Sequence, residues 1–537
     1  MKEKVTIRKP VFITMAILYV SVIVLGLVSP ESFAAVLDNI VNFTCLKFGW
    51  LYDLLTLSLV GFCVWIMFSS KVGKIRIGGK KAKPIISKWS WFVISLCGGI
   101  ATGIVFWGIA EPVTHFMSGI PGFPECVPGT SASALLALST CYLHWGFSEY
   151  AYYCVAGIVI GVAIYNLKLP YRVSSFLYPL IGKKALGWIG TFIDILCVFG
   201  LAGGVSASLC EGALQIGAGI GILGNITPGK FMWSVILIAV VITFIISSYT
   251  GIGRGVKFLS DKNAKLYIGL LAFILFFGPT SFILNLGVEA LGFHATHFFQ
   301  QSLYLGAFDG DMWPTWWTIN YWSWMIAYAP LMGIFLAKIA QGRSLKEFVL
   351  YNFLYPGMFG IAWFAIFGSA AIHYERAGSG LWDTMSNLGT ESAVFGFFKN
   401  LPLTGILSVV FLITIFLSIV TLADSMTTTI SSLSINAKNA ATAEPPAKIK
   451  IFWGVVLSLL AFINLVTSSE VGKVSGIDAT KQLAISVAFP LVFVMIAIVI
   501  SGVKMLVQYD KYDSVDHPEN SIVEKDIMVD AVEETIM

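Results

Sequence analysis

Twelve stretches of this 537-residue chain are each long and apolar enough to cross a bilayer, near 11–29, 48–70, 90–117, 139–166, 187–218, 231–249, 263–287, 315–341, 351–373, 402–433, 451–468 and 482–507. A hydrocarbon core takes roughly 20 apolar residues of helix, and inside it every backbone N–H and C=O must be satisfied within the segment. The runs do not alternate polar with apolar as barrel strands do, so the chain reads as an all-α polytopic membrane protein. Soluble alternatives fail on composition: 57% of residues are hydrophobic and 12% charged, against roughly 25% charged in ordinary soluble domains. A formal charge of +4 is too small to argue for nucleic acid. The first run follows a basic start, is long and lacks a small-residue cleavage site, which makes it a retained helix and not a signal peptide.

Basic residues set the topology. With the N-terminus cytoplasmic, 28 of the 34 Lys and Arg fall in inside segments, leaving Lys47, Lys230, Arg376, Lys399, Lys473 and Lys481 outside. That bias predicts an even number of spans and cytoplasmic termini in a plasma-membrane protein. The expected organisation is an N-terminus (1–10), two N-terminal spans with a basic loop (11–89), five spans (90–287), an external connection (288–314), five more spans (315–507) and a tail (508–537). From Asp510 onward the tail carries nine carboxylates against Lys511 and Lys525, a pattern expected to be disordered and solvated. Eight scattered Cys show no metal spacing and read as apolar filler.

No GxxxxGK[ST], HExxH or GxSxG string gives this chain an ATP motor or a hydrolase centre. Gly219, Gly221 and Gly224 spell GxGxxG in an apolar helix end with no preceding strand, which argues against a nucleotide. Secondary transport remains, and two interrupted helices favour it. The third span reads Cys97-Gly98-Gly99-Ile100-Ala101-Thr102-Gly103, then Glu111-Pro112; the eighth reads Ala329-Pro330-Leu331-Met332-Gly333. Pro interrupts the hydrogen-bond ladder and Gly lets the backbone open. Inverted-repeat carriers hold their cargo where the first helix of each repeat unwinds. Spans 3–7 and 8–12 each count five, so Gly98, Gly99, Gly103 and Pro330 are the expected unwound positions. The competing reading is close helix packing by small residues.

Aromatic residues gather beside these positions. Trp317, Tyr321, Trp324 and Tyr328 recur at helical spacing, and the fourth span carries His144-Trp145-Gly146 with Glu149, Tyr150 and Tyr153. Converging π faces suit a quaternary ammonium, at roughly 0.5–2 kcal/mol each. An interfacial aromatic belt is the alternative; it fits Trp313, Trp316 and Trp317 better than the deeper Trp324.

At these residues the chain resembles the betaine/choline/carnitine transporter family. WTINYWSWMIAYAPLMGIFLAKIAQGR (317–343) is similar to the family's eighth-span signature, HWGFSEYAYY (144–153) to its fourth-span motif and FWGIAEP (106–112) to its third-span one. The resemblance covers all twelve spans. It implies a leucine-transporter fold, a 5+5 inverted repeat behind two extra N-terminal helices, assembled as a homotrimer. It also implies a cofactor-free carrier, not an enzyme, whose substrates are small trimethylammonium zwitterions or cations held in a tryptophan box. Trp145 and Trp324 match box aromatics, Tyr328 an aromatic one turn on, and Tyr150 and Tyr153 aromatic positions of the fourth span. Met325 stands where many members have a second Trp, and Thr114 where the carnitine-type member has a Tyr.

Sodium-coupled members resemble one another in a tenth-span Thr-Ser pair; here the matching residues are Thr421 and Leu422, and Leu422 offers no side-chain oxygen. Met332 matches the sodium-independent carnitine/γ-butyrobetaine antiporter branch. That branch replaces a sodium ion by an Arg whose register holds Asn263 here, flanked by Lys262 and Lys265. The implied activity is sodium-independent exchange of compounds such as carnitine, γ-butyrobetaine or betaine. Sodium- or proton-coupled uptake of betaine or choline, and a membrane sensor of the same ligand, are the alternatives.

Glu111, Glu149, Asp194, Glu211 and Asp424 lie within spans, where ionisable groups are costly and usually functional or paired. Glu149, four residues after Trp145 and read on the same helical face, would counter a substrate cation; a paired or protonated structural carboxyl is the alternative. Asp424 would neutralise a seventh-span Lys.

Overall fold

Each apolar run closes its own backbone hydrogen bonds, so helix is the outcome throughout. The computed structural model describes residues 6–99, 101–123, 125–250, 255–436, 445–470 and 476–523. The first two spans are α1 (Lys9–Val28) and α2 (Pro30–Phe68). Span 3 is α3 (Lys88–Gly99) with α4 (Ala101–Ser118), and span 4 is α5 (Ser131–Trp145) with α6 (Phe147–Tyr165). Spans 5 to 7 are α7 (Trp188–Gly224), α8 (Lys230–Thr250) and α9 (Gly255–Phe277), followed by α10 (Thr280–Ser302). Spans 8 to 12 are α11 (Thr318–Ile339), α12 (Tyr355–Arg376), α13 (Thr404–Leu433), α14 (Ala447–Glu470) and α15 (Gly476–Val507). Among the described residues, ten helical stretches are long and apolar enough to cross a membrane alone, or up to twelve when each of two bent pairs counts as one span.

Burial sorts the helices. In α1, Ile13, Ile17 and Val24 are exposed, as are Ile238, Ile242 and Ile246 in α8; these are lipid-facing rows. Every residue of α11 except Lys338 is buried. A helix apolar all round belongs at the centre of a bundle, and α11 is that helix.

Span 3 bends as expected: its axis turns by 58° between Lys88–Gly98 and Gly103–Ser118. Ile100 lies outside the described residues. Span 8 does not break at Pro330, because α11 runs unbroken through it. The small residues there serve a close crossing instead: a Cβ on Gly333 would stand 2.7 Å from the Ala156 backbone carbon of α6. Close helix packing therefore explains Gly333.

Other boundaries shift. Helix α2 starts at Pro30, not 48, because Leu37, Val41 and Cys45 give the preceding segment a buried i, i+4 row too polar to register as a span. Span 7 ends at Phe277, where the chain turns by 111° past Pro279 into α10, so the external connection is largely helical. The tail is ordered from 508 to 523, contrary to expectation, since its acidic groups cap backbone amides. Ser514 N donates to the Asn166 carbonyl (2.9 Å), Lys80 N to the Asp516 carboxylate (3.0 and 3.1 Å) and Asn166 Nδ2 to Tyr509 Oη (2.6 Å). Residues 524–537 lie outside the described residues.

At the other end of the chain, Thr6–Ile7 pairs antiparallel with Ile435–Asn436 beyond α13, and Arg8 Nη1 meets Asp194 Oδ2 at 2.7 Å. Asp194 is thus a paired structural carboxylate. These contacts gather on one face the N-terminus, the 2–3 and 4–5 loops, the end of span 10 and the tail, all segments that the Lys/Arg bias assigns to one side.

Two substitutions in α11 test its continuity. Gly333→Val is expected to lower the detergent melting temperature, at an overpacking cost of about 1–3 kcal/mol. Pro330→Ala is expected to raise it, because Ala restores a backbone donor to a continuous helix. A fall with Pro330→Ala, read by thermal unfolding of purified protein, would contradict that continuity.

Candidate functional site

The bend of span 3 meets a second interruption that the sequence hides. Span 4 stops at Trp145 and restarts at Phe147, with Gly146 at φ −97°, ψ −129°. The cause is a close approach by α12: a Cβ on Gly360 would lie 2.0 Å from the Trp145 carbonyl oxygen. Trp145 ends α5 and Glu149 lies in the first turn of α6, so the two do not share a continuous helical face as expected.

Glu111 of α4 sits where these helices converge on α11, and it is fully buried. His144 Nδ1 lies 2.7 Å from its Oε1, Trp145 Nε1 donates to Oε2 at 2.5 Å and Tyr321 Oη donates to Oε2 at 2.8 Å. His115 Nε2 is 3.5 Å from Oε1, and His144 Nε2 continues the chain to Thr318 Oγ1 at 3.0 Å. Glu111, His115 and His144 bring one ligand-type atom each within 4.8 Å of one another. The trio already shares hydrogen bonds with three further neighbours, Trp145, Tyr321 and Thr318, an arrangement that suits a held carboxylate better than a metal ion. Sequence reading named Glu111 without finding His115, His144, Trp145 and Tyr321 as its partners. The signal was Glu111 in the third-span motif with His115 one turn after it, and His144 in the fourth-span motif.

That network fixes the expected aromatic box. The Trp145 indole, tied to Glu111, lies over Gly103, where a Cβ would come within 2.5 Å of the ring. It meets Tyr321 edge-on at 4.9 Å and stacks on Phe364 at 5.8 Å. Tyr321 in turn meets Trp324 edge-on at 6.5 Å, so it stands between the two box tryptophans. The stripe on α11 divides: Trp317 turns to His115 of α4 (4.4 Å), while Trp324 packs on Ala207 and Tyr328 Oη bonds Ser208 Oγ (2.8 Å), both on α7. Tyr153 Oη donates to Met325 Sδ at 2.9 Å. Tyr150 is buried, with a hydroxyl that has no partner among the described residues. Half-buried Thr114 gives its hydroxyl to the Ala110 carbonyl of its own helix (2.7 Å).

Met332 reaches the span 3 bend: a Cβ on Gly98 would stand 3.6 Å from its methyl carbon and 3.8 Å from Ser425 Oγ of α13. Around the expected ion position, Thr421 Oγ1 donates to the Leu417 carbonyl (2.7 Å) and Leu422 is buried. Asn263 Nδ2 donates to Ser418 Oγ (3.0 Å) and Tyr267 Oη (3.1 Å). Neither flanking Lys takes part. Lys262 lies exposed over the Phe258 ring, and exposed Lys265 pairs with Asp261 at 2.7 Å. On a helix that turns Asn263 inward, neighbours at −1 and +2 point away from its face. Asp424 therefore does not neutralise either of them; it accepts from Ser247 Oγ and Thr428 Oγ1.

Replacing Glu111 by Gln removes the charge that holds four neighbours, and the expected loss is about 3 kcal/mol or more. Thr318→Val, which unseats only the outer end of the chain, is expected to cost about 1 kcal/mol. Thermal unfolding of the two variants side by side checks the ranking.

Comparison with known proteins agrees with this architecture. Residues 10–511 match the model of the BCCT family, described as betaine/carnitine/choline family transporter. A probable glycine betaine transporter of Desulfitobacterium hafniense (strain Y51) is 32% identical over 484 residues, 90% of this chain and 94% of its own. The ectoine/hydroxyectoine transporter of Virgibacillus pantothenticus is 30% identical over 509 residues, covering 95% and 98%. The glycine betaine transporter OpuD of Bacillus subtilis (strain 168) is 32% identical over 506 residues, covering 93% and 95%. With its family model matched across nearly the whole length and its spans in place, the chain belongs to the betaine/carnitine/choline family: a multi-pass membrane transporter and not an enzyme.

Proposed function

We propose that this transporter carries betaine-type compounds by alternating access, exchanging one substrate for another without sodium, in the manner of carnitine, γ-butyrobetaine and betaine. The box of Trp145, Trp324, Tyr150, Tyr153, Tyr328 and Met325 is the proposed cargo site, with Met332 beside the span 3 bend. Supporting a methylated nitrogen there is the edge-on series Trp145–Tyr321–Trp324, with centroids 4.9 and 6.5 Å apart. The names of the relatives, glycine betaine and ectoine transporters, support a betaine-type cargo. One observation carries the sodium-independent part: buried Leu422 follows Thr421 where an oxygen ligand is needed. The proposal includes the homotrimer, the leucine-transporter 5+5 repeat and the cytoplasmic placement of both termini.

A second reading, sodium-coupled uptake, has its own observation. Asn263 Oδ1 is buried without a partner among the described residues, on the amide whose Nδ2 donates to Ser418 and Tyr267. A carbonyl oxygen of this kind suits a hard cation.

Uptake of labelled glycine betaine into proteoliposomes, empty or preloaded with carnitine, γ-butyrobetaine, choline or betaine, each with and without sodium, separates the readings. Exchange predicts uptake that needs a preload and ignores sodium; uptake into empty vesicles driven by a sodium gradient would support the second reading instead. In the same assay, Trp324→Ala is expected to raise KM about tenfold and Trp324→Phe to recover most of it, as one π face is worth roughly 0.5–2 kcal/mol. Equal loss in both variants would remove Trp324 from the cage.

A further inference from the structure

Two carboxyl groups lie fully buried near the middle of the bundle, and they are treated in opposite ways. Glu111 has each oxygen engaged by imidazole, indole or phenol. Glu149 is equally buried, yet neither Oε1 nor Oε2 has a hydrogen-bond partner among the described residues. An ionised carboxylate offers about four acceptor sites, and burying them unmet is among the costlier things a protein can do. The start of α6 gives partial relief, since the first turn of a helix favours an anion. It supplies no donor that reaches either oxygen.

The surroundings say what Glu149 faces. One turn on along α6 stands Tyr153, whose hydroxyl reaches Met325 of α11 at 2.9 Å. Residues four apart share a helical face, so Glu149 belongs to the face of α6 that looks onto the middle of α11. Tyr150, beside it, also carries a buried hydroxyl without a partner among the described residues, as does the Trp324 indole N–H on α11. Polar groups without partners among the described residues thus occur on both α6 and α11, the helices that carry the proposed cargo site. Met325 completes the picture, because a thioether takes the place of a π face there and the cation gains less from aromatic walls.

A quaternary ammonium cannot satisfy Glu149, since four carbon substituents leave its nitrogen no N–H. A protonated tertiary or secondary amine, or an amidinium, satisfies it directly with a charge-assisted hydrogen bond. We propose that Glu149 is a specificity-determining residue that selects betaine-type cargo whose cationic nitrogen carries at least one N–H. The inference rests on the reading of the α6–α11 face as the cargo site. It changes the favoured substrate class from fully methylated to N–H-bearing zwitterions, with a substrate carboxylate still present.

A methylation series tests this variable, because glycine betaine, N,N-dimethylglycine and sarcosine share a carboxylate and net charge and differ by exchange of an N-methyl for an N–H. Each would compete against labelled glycine betaine in proteoliposomes containing the intact protein. The wild-type protein is expected to prefer dimethylglycine over glycine betaine by roughly tenfold, the size of one discriminating hydrogen bond to a charged group. In Glu149→Gln and Glu149→Ala that ratio is expected to fall close to one. Wild-type protein that favours glycine betaine, or treats the two alike, overturns the proposal even if neither variant folds. Variants that keep the tenfold ratio overturn it too. Absence of glycine betaine uptake by wild-type protein under every preload and gradient is a different outcome: it sinks the cargo-site reading itself, and the selection proposal with it.

Discussion

An ionised carboxylate in the middle of a membrane protein is costly unless donors hold it. Glu111 meets that requirement with groups from three spans: His115 from its own helix, His144 and Trp145 from the end of α5, and Tyr321 from α11. The geometry of the centre follows from this arrangement. Span 3 must bring α4 to the joint of span 4, the joint must expose Trp145 Nε1 inward, and α11 must present Tyr321 at the same height. Trp145 and Trp324 lie on either side of Tyr321, which that network holds.

Close backbone approach does the complementary work. Helix α11 has no lipid face, so it is held by neighbours that come nearer than ordinary side chains allow, at Gly333 against Ala156 and Gly157. At Gly360 a second close approach presses α12 onto the Trp145 carbonyl and splits span 4. In a bilayer such contacts replace the hydrophobic drive that would pull helices together in water.

Local properties of the chain were legible in advance; relations between segments were not. Length and hydropathy marked twelve spans, because a bilayer imposes its thickness residue by residue. Pro330 and Gly333 looked like a break because composition cannot distinguish an opened helix from a crossed one; the answer lies in Ala156, some 175 positions away in the chain. Lys262 and Lys265 flank Asn263 in the sequence but face away from it, a matter of helical phase. Glu149 was placed beside Trp145 by counting through Gly146 as though the helix continued. The tail was averaged with its acidic end, which hid Tyr509 and Ser514. His144 and Glu111 both stood in recognised motifs, and only the fold joins them.

The N-terminal strand has a consequence for how the protein is made. Thr6–Ile7 pairs with Ile435–Asn436, and Arg8 needs Asp194. When α1 enters the membrane neither partner exists. At roughly 5–20 residues per second, the ribosome supplies Asp194 after some tens of seconds and Ile435 later still. Arg8 can pair once the fifth span has begun, and the strand forms only after ten spans have been threaded. The short strand thus acts as a late clasp, registering that the tenth helix has arrived with its end on the same side as the beginning of the chain.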